Sequence, residues 1–385
     1  MRVLVDYRPA LRERTGVGEY VHELAKALSA AAAGPWDGRI TLFTSSWKDR
    51  PDPALASEMP SAQIVDLRVP VRALVWSWNR LEWPPVEWLA GTHDVVHSQS
   101  PLLIPARQGA HVVTIHDLDF LHHPDRGAAE IRRDYPALAR AHAARADAVV
   151  VSSQYAASQV TRELGLNPAH VHLCPPGPPE WARAVRARRQ QRAEEHPEAA
   201  AGRHILFVGT LNTRKNVGTL LTAYARLREL DPTAPPLVLA GHRTDQSAEW
   251  EARCRRAPLS GHVTLTGYVD TAQRIALYDD ALMLVLPSLE EGFGLPVLEA
   301  MACGVPVIVS SRGSLPEVAG AAATPIDPAN VDGFTAAMRA LLDPHRARDA
   351  AARGVQQASA FSWATCAASA CRAYASALEV HAHRH

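Results

Sequence analysis

Two carboxylates bracket a glycine-containing loop in the last third of the chain. They are Glu291 and Glu299, in the stretch LMLVLPSLEEGFGLPVLEAMACGVPVIVS of residues 282–310, with seven residues between them. A loop feeding a helix start presents free backbone N–H groups and the positive end of the helix dipole, which favours an anion. Gly292 and Gly294 let the backbone approach that anion closely. Two cations, Arg214 and Lys215, sit in a second such loop, LNTRKNVG. A lysine there is a compact point charge able to reach a diphosphate, and hydrogen bonds to charged groups are worth roughly 1.5–3 kcal/mol each. The chemistry in view is the binding of a phosphate-bearing ligand with carboxylates beside it. Plainer roles exist for each group. Glu299 can complement the macrodipole at about 0.3–1 kcal/mol, Glu291 can be solvated, and the cations can be surface charges. Those roles leave the glycine loop, with a Glu on each side of it, unexplained.

The elements that must position these groups follow from the apolar runs. Leu282 to Leu286 is too short for a helix and is bounded by Pro287, so it reads as a buried strand. Pro296 suits the first helical position, Gly304 and Pro306 stop that helix, and Val305 to Val309 is the next strand. Strand, glycine loop, helix and strand form a crossover in a parallel sheet. The scheme also opens the chain: Arg2 to Asp6 is a strand, a loop ends in Gly16 and Gly18, and Tyr20 to about Ala32 is a helix with one apolar face. It restarts at HILFVGT, residues 204–210, whose last two residues are Gly209 and Thr210. Further strands are expected at 39–44, 94–98, 111–115, 148–151, 171–174, 237–241 and 263–269, with helices at 130–146 and, capped by Ser152 and Ser153, through Leu164. The fold class is α/β, with two Rossmann-like halves. Ligands of open parallel sheets bind outside the carboxyl ends of the strands, which sets His116, just after the strand 111–115, at a cleft.

Length and composition agree. At 385 residues, a prior of about 150 per domain gives two or three domains. Apolar residues make up 47% and charged residues 21%, as in soluble globular enzymes. A formal net charge of zero gives no case for nucleic acid as a partner. Five scattered cysteines fit neither a zinc site nor a disulfide framework and favour a reducing compartment. The start MRVLVDYRPA passes straight into a strand without a signal-peptide layout, and no apolar run approaches the roughly 20 residues that span a bilayer. A cytoplasmic protein is expected. The boundaries read as 1–180 for a first domain, 181–203 for a linker, 204–361 for a second domain and 362–385 for a final helix. The linker reads as a hinge or linker helix, and its basic run RARRQQRAEEHPEAAAG is expected to be a solvated face rather than a nucleic-acid patch.

EEGFGLPVLEAMACGVPVIVS resembles the signature of the retaining glycosyltransferases of family 4, and TIHDLDFLHHPD is similar to that family's His-Asp segment. The resemblance covers most of residues 90–330. It implies the GT-B fold, two Rossmann-like domains facing each other across a deep cleft, with the final helix crossing back onto the first domain. It also implies site roles. Glu291 lies beside the donor sugar and Glu299 holds the ribose, while the backbone at Phe293, Gly294 and Leu295 meets the phosphates. His116 contacts the donor sugar, and the loop with Gly16 and Gly18 faces the cleft. The activity implied is hexosyl transfer from a nucleotide sugar, with retention, to a glycan or lipid-linked acceptor. Retention can arise by same-face attack or through a covalent intermediate, and both stay open. Where many members carry an arginine after the strand's glycine, this chain has Thr210 after Gly209, and Arg214 is the candidate substitute. The opening VGT…RKN looks closest to mannosyltransferases, which favours GDP-mannose, with a UDP-sugar donor as the alternative. Less favoured are a sugar-nucleotide epimerase and a non-catalytic partner subunit. No Asp-x-Asp metal motif appears where a donor metal would be needed, so metal-independent transfer is expected, with Lys215, Arg214 and the backbone at Gly292 to Leu295 meeting the leaving diphosphate. No cofactor is expected, the nucleotide sugar being a substrate.

One segment stands apart. VRALVWSWNRLEWPPVEWLAG, residues 71–91, holds four of the nine tryptophans, Trp76, Trp78, Trp83 and Trp88, with Arg72 and Arg80 among them. It reads either as aromatic core filling or as an exposed surface for a lipid-linked acceptor, giving peripheral contact at the inner face of the membrane. His122 and His123 make a metal pair only if an unidentified carboxylate joins them.

Overall fold

A computed structural model defines the fold and describes residues 1–11, 14, 16–31, 39–123, 135–196 and 202–384. The chain divides into two compact units, Met1–Gly177 with Ser362–His385, and Pro178–Phe361.

The first unit is built on seven parallel strands: β1 (Val3–Asp6), β2 (Ile40–Ser45), β3 (Gln63–Leu67), β4 (Val95–Ser98), β5 (Ala110–Thr114), β6 (Ala148–Val151) and β7 (Val171–Leu173). Their order is β3-β2-β1-β4-β5-β6-β7, so the winding reverses between β1 and β4. β1, β2, β4 and β6 are buried along their whole length, which is why they appear in the sequence as near-continuous apolar runs. β3 carries no such run. It is a half-exposed edge strand, paired from Thr41↔Gln63 to Ser45↔Leu67, and Asp66 accepts from Thr44 Oγ1 at 3.0 Å.

The helix after β1 spans Gly16–Ala30, so it begins four residues before the expected Tyr20, and Gly16 and Gly18 lie in its first turn rather than in a loop. The helix after β6 starts as expected, with Ser153 Oγ accepting from Ala156 N at 3.0 Å. Of the helix expected at 130–146, Tyr135–Arg145 is present and 130–134 lies outside the described residues. The final helix, Trp363–Arg384, buries Cys366, Ala370, Ala373 and Tyr374 in the core of this unit. Tyr374 Oη and His97 Nδ1 are 2.9 Å apart, tying that helix to β4.

The second unit has five parallel strands: β8 (His204–Val208), β9 (Leu237–Ala240), β10 (Val263–Gly267), β11 (Ala281–Leu286) and β12 (Val307–Val309), in the order β10-β9-β8-β11-β12. The segment expected to link the units, 181–203, holds a helix over Trp181–Glu195 that packs in this unit, with Ala182 and Val185 in its core, while 197–201 lies outside the described residues. Nor is its basic run simply solvated. Arg188 and Arg192 pair with Asp279 at 3.1 and 2.9 Å, and Arg189 donates to the carbonyls of Tyr278 and Asp279 at 3.1 and 2.7 Å. Three arginines thus serve the unsatisfied carbonyls and negative dipole end of the helix Thr271–Asp279. A charge pattern alone does not show which face of a helix meets another helix end.

Candidate active site

Glu291 lies in the loop between β11 and the helix Leu295–Ala302 and is only 5% exposed. Lys215 Nζ hydrogen-bonds its Oε1, and Ser288 Oγ donates to the same oxygen at 2.7 Å. Arg214 Nη1 stands 3.5 Å from Oε2 and donates to the Glu290 carbonyl at 3.1 Å. Burial by itself would raise the Glu291 carboxyl. Lys215 and Arg214, with hydrogen bonds from Lys215 and Ser288, outweigh it and hold the group below the usual carboxylate range. The loop after β8 is built to deliver these cations. Asn212 Oδ1 accepts from Lys215 N at 3.1 Å, and Asn216 Nδ2 donates to the carbonyls of Pro287 and Pro328 at 3.1 and 2.9 Å. Gly209 and Thr210 follow β8 directly, and Gly209 lies against the Lys215 side chain.

A third loop closes on the same carboxylate. Gly313 has a φ of 63° and lies so near Glu291 that a Cβ would come within 2.6 Å of its backbone N and O. Ser314 N and Oγ each donate to the Glu291 carbonyl at 3.0 Å. Gly294 has a φ of 97°, and a Cβ there would sit 2.7 Å from Leu315 Cδ2. The turn into the helix therefore accepts only glycine comfortably. Gly292, Phe293 and Gly294 are buried, and Leu295 and Pro296 open the helix half-exposed.

Glu299, on that helix, is 3% exposed. Tyr278 Oη donates to its Oε2 at 2.8 Å, and Arg274 Nη1 is 3.3 Å from Oε1. Burial and the neighbouring carboxylate push the Tyr278 phenol well above its ordinary value, so it stays a donor. Trp181 stacks on Tyr278 with ring centroids 5.7 Å apart, and Arg274 lies over Trp181 at 5.5 Å.

Within the second unit the structure therefore brings Glu291, Lys215 and Arg214 together, with Glu299 on the helix that follows. Ser288, Asn216, Gly313, Ser314, Arg274 and Tyr278 were missed by sequence reasoning. The only available signal for them was proximity in sequence to the ends of strands and helices.

His116, Gly16 and Gly18 belong to the first unit. His116 lies two residues beyond β5, half-buried, with its ring edge-on to Tyr20 at 5.1 Å. Its Nε2 is enclosed and has no hydrogen-bond partner among the described residues. Burial lowers the imidazole to about 4 against a smaller opposing effect of Asp117, so it is neutral at physiological pH. His122 pairs instead with Glu163 at 2.8 Å. Among the described residues no group of three or more His, Cys, Asp or Glu is placed to hold a metal ion, and all five cysteines are free thiols.

Two Rossmann-like units, the second with a carboxylate held by paired cations where two strands end, define a protein of the GT-B class. The description "Glycosyltransferase Family 4" matches residues 14–178, and "Glycosyl transferases group 1" matches residues 188–357. The chain belongs to the family 4 glycosyltransferases. It is 40% identical over 173 residues to the O-antigen chain mannosyltransferase B of Escherichia coli, covering 44% of this chain and 45% of that protein. It thus spans less than half the length of that relative. The glycogen synthase of Mycobacterium tuberculosis is 28% identical over 98% of this chain and 95% of its own. In fold, the sucrose-phosphate synthase from Thermosynechococcus elongatus superposes with a TM-score of 0.72 at 22% identity, covering 97% of this chain and 98% of that one.

Proposed function

We propose that this chain is a retaining hexosyltransferase that moves mannose from GDP-mannose to a glycan or lipid-linked acceptor. The observation that carries the reading is the buried Lys215–Glu291 pair with Arg214 beside it. Such a group can do two things. The cations, joined by the backbone N–H groups at Gly292 to Leu295, offset charge as the diphosphate leaves, which is electrostatic stabilisation of the transition state. The carboxylate, kept ionised by the two cations and aimed by hydrogen bonds from Lys215 and Ser288, is fixed beside the donor sugar. Both oxygens of Glu299 have donors, but an ionised carboxylate has about four lone-pair sites, which leaves capacity for the ribose hydroxyls. His116, being neutral, offers the sugar hydrogen bonds rather than charge.

The mannosyltransferase named among the relatives supports the donor sugar, and the guanine base follows from it. Transfer of labelled mannose from GDP-mannose to an acceptor, with the product's anomeric configuration read by NMR, tests the whole reading. An inverted product would reject retention. A melting shift with UDP and none with GDP would reject the donor in favour of a UDP-sugar. Release of free isomerised sugar without acceptor would make the protein an epimerase.

Peripheral membrane contact is supported by one helix face. Arg72, Trp76 and Arg80, four residues apart along the helix Val71–Leu81, are all exposed and so share one side of it. An exposed ring flanked by guanidinium groups suits an interface of anionic headgroups. No helix among the described residues is long and apolar enough to cross a membrane.

A further inference from the structure

A cavity of about 420 Å3 lies in the second unit between the helices Trp181–Glu195 and Pro344–Ala358, beside the last turn of the helix that bears Glu299. Its walls are largely apolar, with Leu282, Cys303, Leu342 and Val355 among them, and three arginines, Arg186, Arg189 and Arg348, also line it. That volume falls in the range of small-molecule sites. Two of these arginines, Arg186 and Arg189, are unusual in their pairing. Asp279 is taken by Arg188 and Arg192, and neither Arg186 nor Arg189 has a carboxylate in ion-pair contact among the described residues. Arg189 Nη1 is satisfied only by two carbonyls, and its Nε is enclosed without a hydrogen-bond partner. A guanidinium held off water without a contacting counter-charge is costly unless an anion arrives. An apolar chamber walled by one such cation, Arg189, with the half-exposed Arg186 and with Arg348 also on its lining, suits a ligand with an anionic head and an apolar body.

The walls of this cavity lead to Glu299 by two routes. Arg189 holds the backbone of Tyr278, whose hydroxyl donates to Glu299. Cys303, on the opposite wall, donates its N–H to the Glu299 carbonyl at 3.0 Å. We propose that the cavity is an effector site for a small amphipathic anion, a carboxylate or phosphate ester on a short apolar body, and that its occupancy changes nucleotide affinity through Arg189 and Tyr278. The coupling rests on the reading of Glu299 as the ribose-binding residue; the anion site itself does not.

The test uses the full chain with hexanoate, hexyl phosphate, hexanol and inorganic phosphate as probes, in calorimetry and thermal shift. Hexanoate or hexyl phosphate is expected to bind and raise the melting temperature, and whichever binds more tightly identifies the headgroup. Hexanol and inorganic phosphate, each lacking one half of the ligand, are expected to bind at least tenfold more weakly. Arg186→Gln, outside the transfer machinery, should cut anion affinity at least tenfold and leave transfer without probe unchanged. Equal binding of hexanol, no binding of either amphipathic anion, or undiminished affinity in Arg186→Gln would overturn the site. Nucleotide affinity measured with and without saturating anion should differ, and the nucleotide should alter anion affinity by the same factor. An anion that binds without moving nucleotide affinity would overturn the effector role. If no nucleotide binds under any condition, the transferase reading fails while the anion site still stands or falls on direct binding.

Discussion

Lys215 Nζ and Glu291 Oε1 are hydrogen-bonded across 76 residues of sequence, in a pocket where each residue is less than a tenth exposed. The two groups form one electrostatic unit, so a substitution at either acts on both. Removing one partner strands a buried charge, which costs roughly 3–5 kcal/mol. Lys215→Met is therefore expected to destabilise the second unit markedly. Glu291→Gln should cost less than Lys215→Met, because Lys215 and the amide can still hydrogen-bond. The double variant should recover part of the loss, as urea denaturation would show. Costs that add to within about 0.5 kcal/mol would mean the pair is not coupled.

The two glutamates should separate in steady-state kinetics. Glu291→Gln is expected to lower kcat with little change in the donor KM, since its proposed place is beside the reacting sugar. Glu299→Gln should raise the donor KM and leave kcat nearly intact, because a ribose contact persists from ground state to transition state. Tyr278→Phe removes one donor from Glu299 and should repeat the Glu299→Gln pattern more weakly, by severalfold. The reverse assignment of kcat and KM effects would sink this division.

Acid should destabilise the first unit through neutral buried histidines. Burial lowers His97 to about 3, with a smaller contribution from His116. The unfolded chain takes up its proton near pH 6.5 while the folded chain does not, so stability is complete above pH 6.5 and falls as pH drops towards the folded value. The loss is roughly 2 kcal/mol for His97 by pH 5, and less for half-buried His116. Urea midpoints that do not fall between pH 7 and pH 5 would contradict this. No acid limb near pH 6.5 in the transfer rate should trace to His116.

The tryptophans should divide by position. Trp78 is 2% exposed, with its indole N–H on the Pro84 carbonyl at 2.9 Å. Trp78→Ala should therefore cost about 3–5 kcal/mol. Trp76 is 60% exposed. Trp76→Ala should change stability by no more than about 0.5 kcal/mol, as surface substitutions do. Binding to vesicles containing anionic lipid should drop for Trp76→Ala and for Arg72→Gln. Retention of full vesicle binding in both would remove the membrane contact. Trp83 and Trp88 are also exposed and form an edge-to-face pair, with Arg107 over the Trp88 ring.

The sequence alone determined the class of the fold, because its parallel strands are buried on both faces and must be written as short apolar runs between glycine loops. β1, β8 and β11 are legible for that reason, and so is Glu291, which stands beside a loop whose glycines and proline have a local conformational purpose. β3 was not legible, since an edge strand with one wet face needs no apolar run. The arginine face of the helix Trp181–Glu195 was misread for a related reason: arginines that serve the carbonyls of Tyr278 and Asp279 look in a sequence like arginines in water. Only the tertiary structure decided the partners. Lys215 and Glu291 meet because β8 and β11 are neighbours in the sheet. Glu299 is held by Tyr278 because their two helices both pack against the helix Trp181–Glu195, and Trp78 is core while Trp76 is not because two residues turn a helix by about 200°. Local conformation is encoded locally, whereas the pairing of buried charges depends on which strand ends the topology sets side by side.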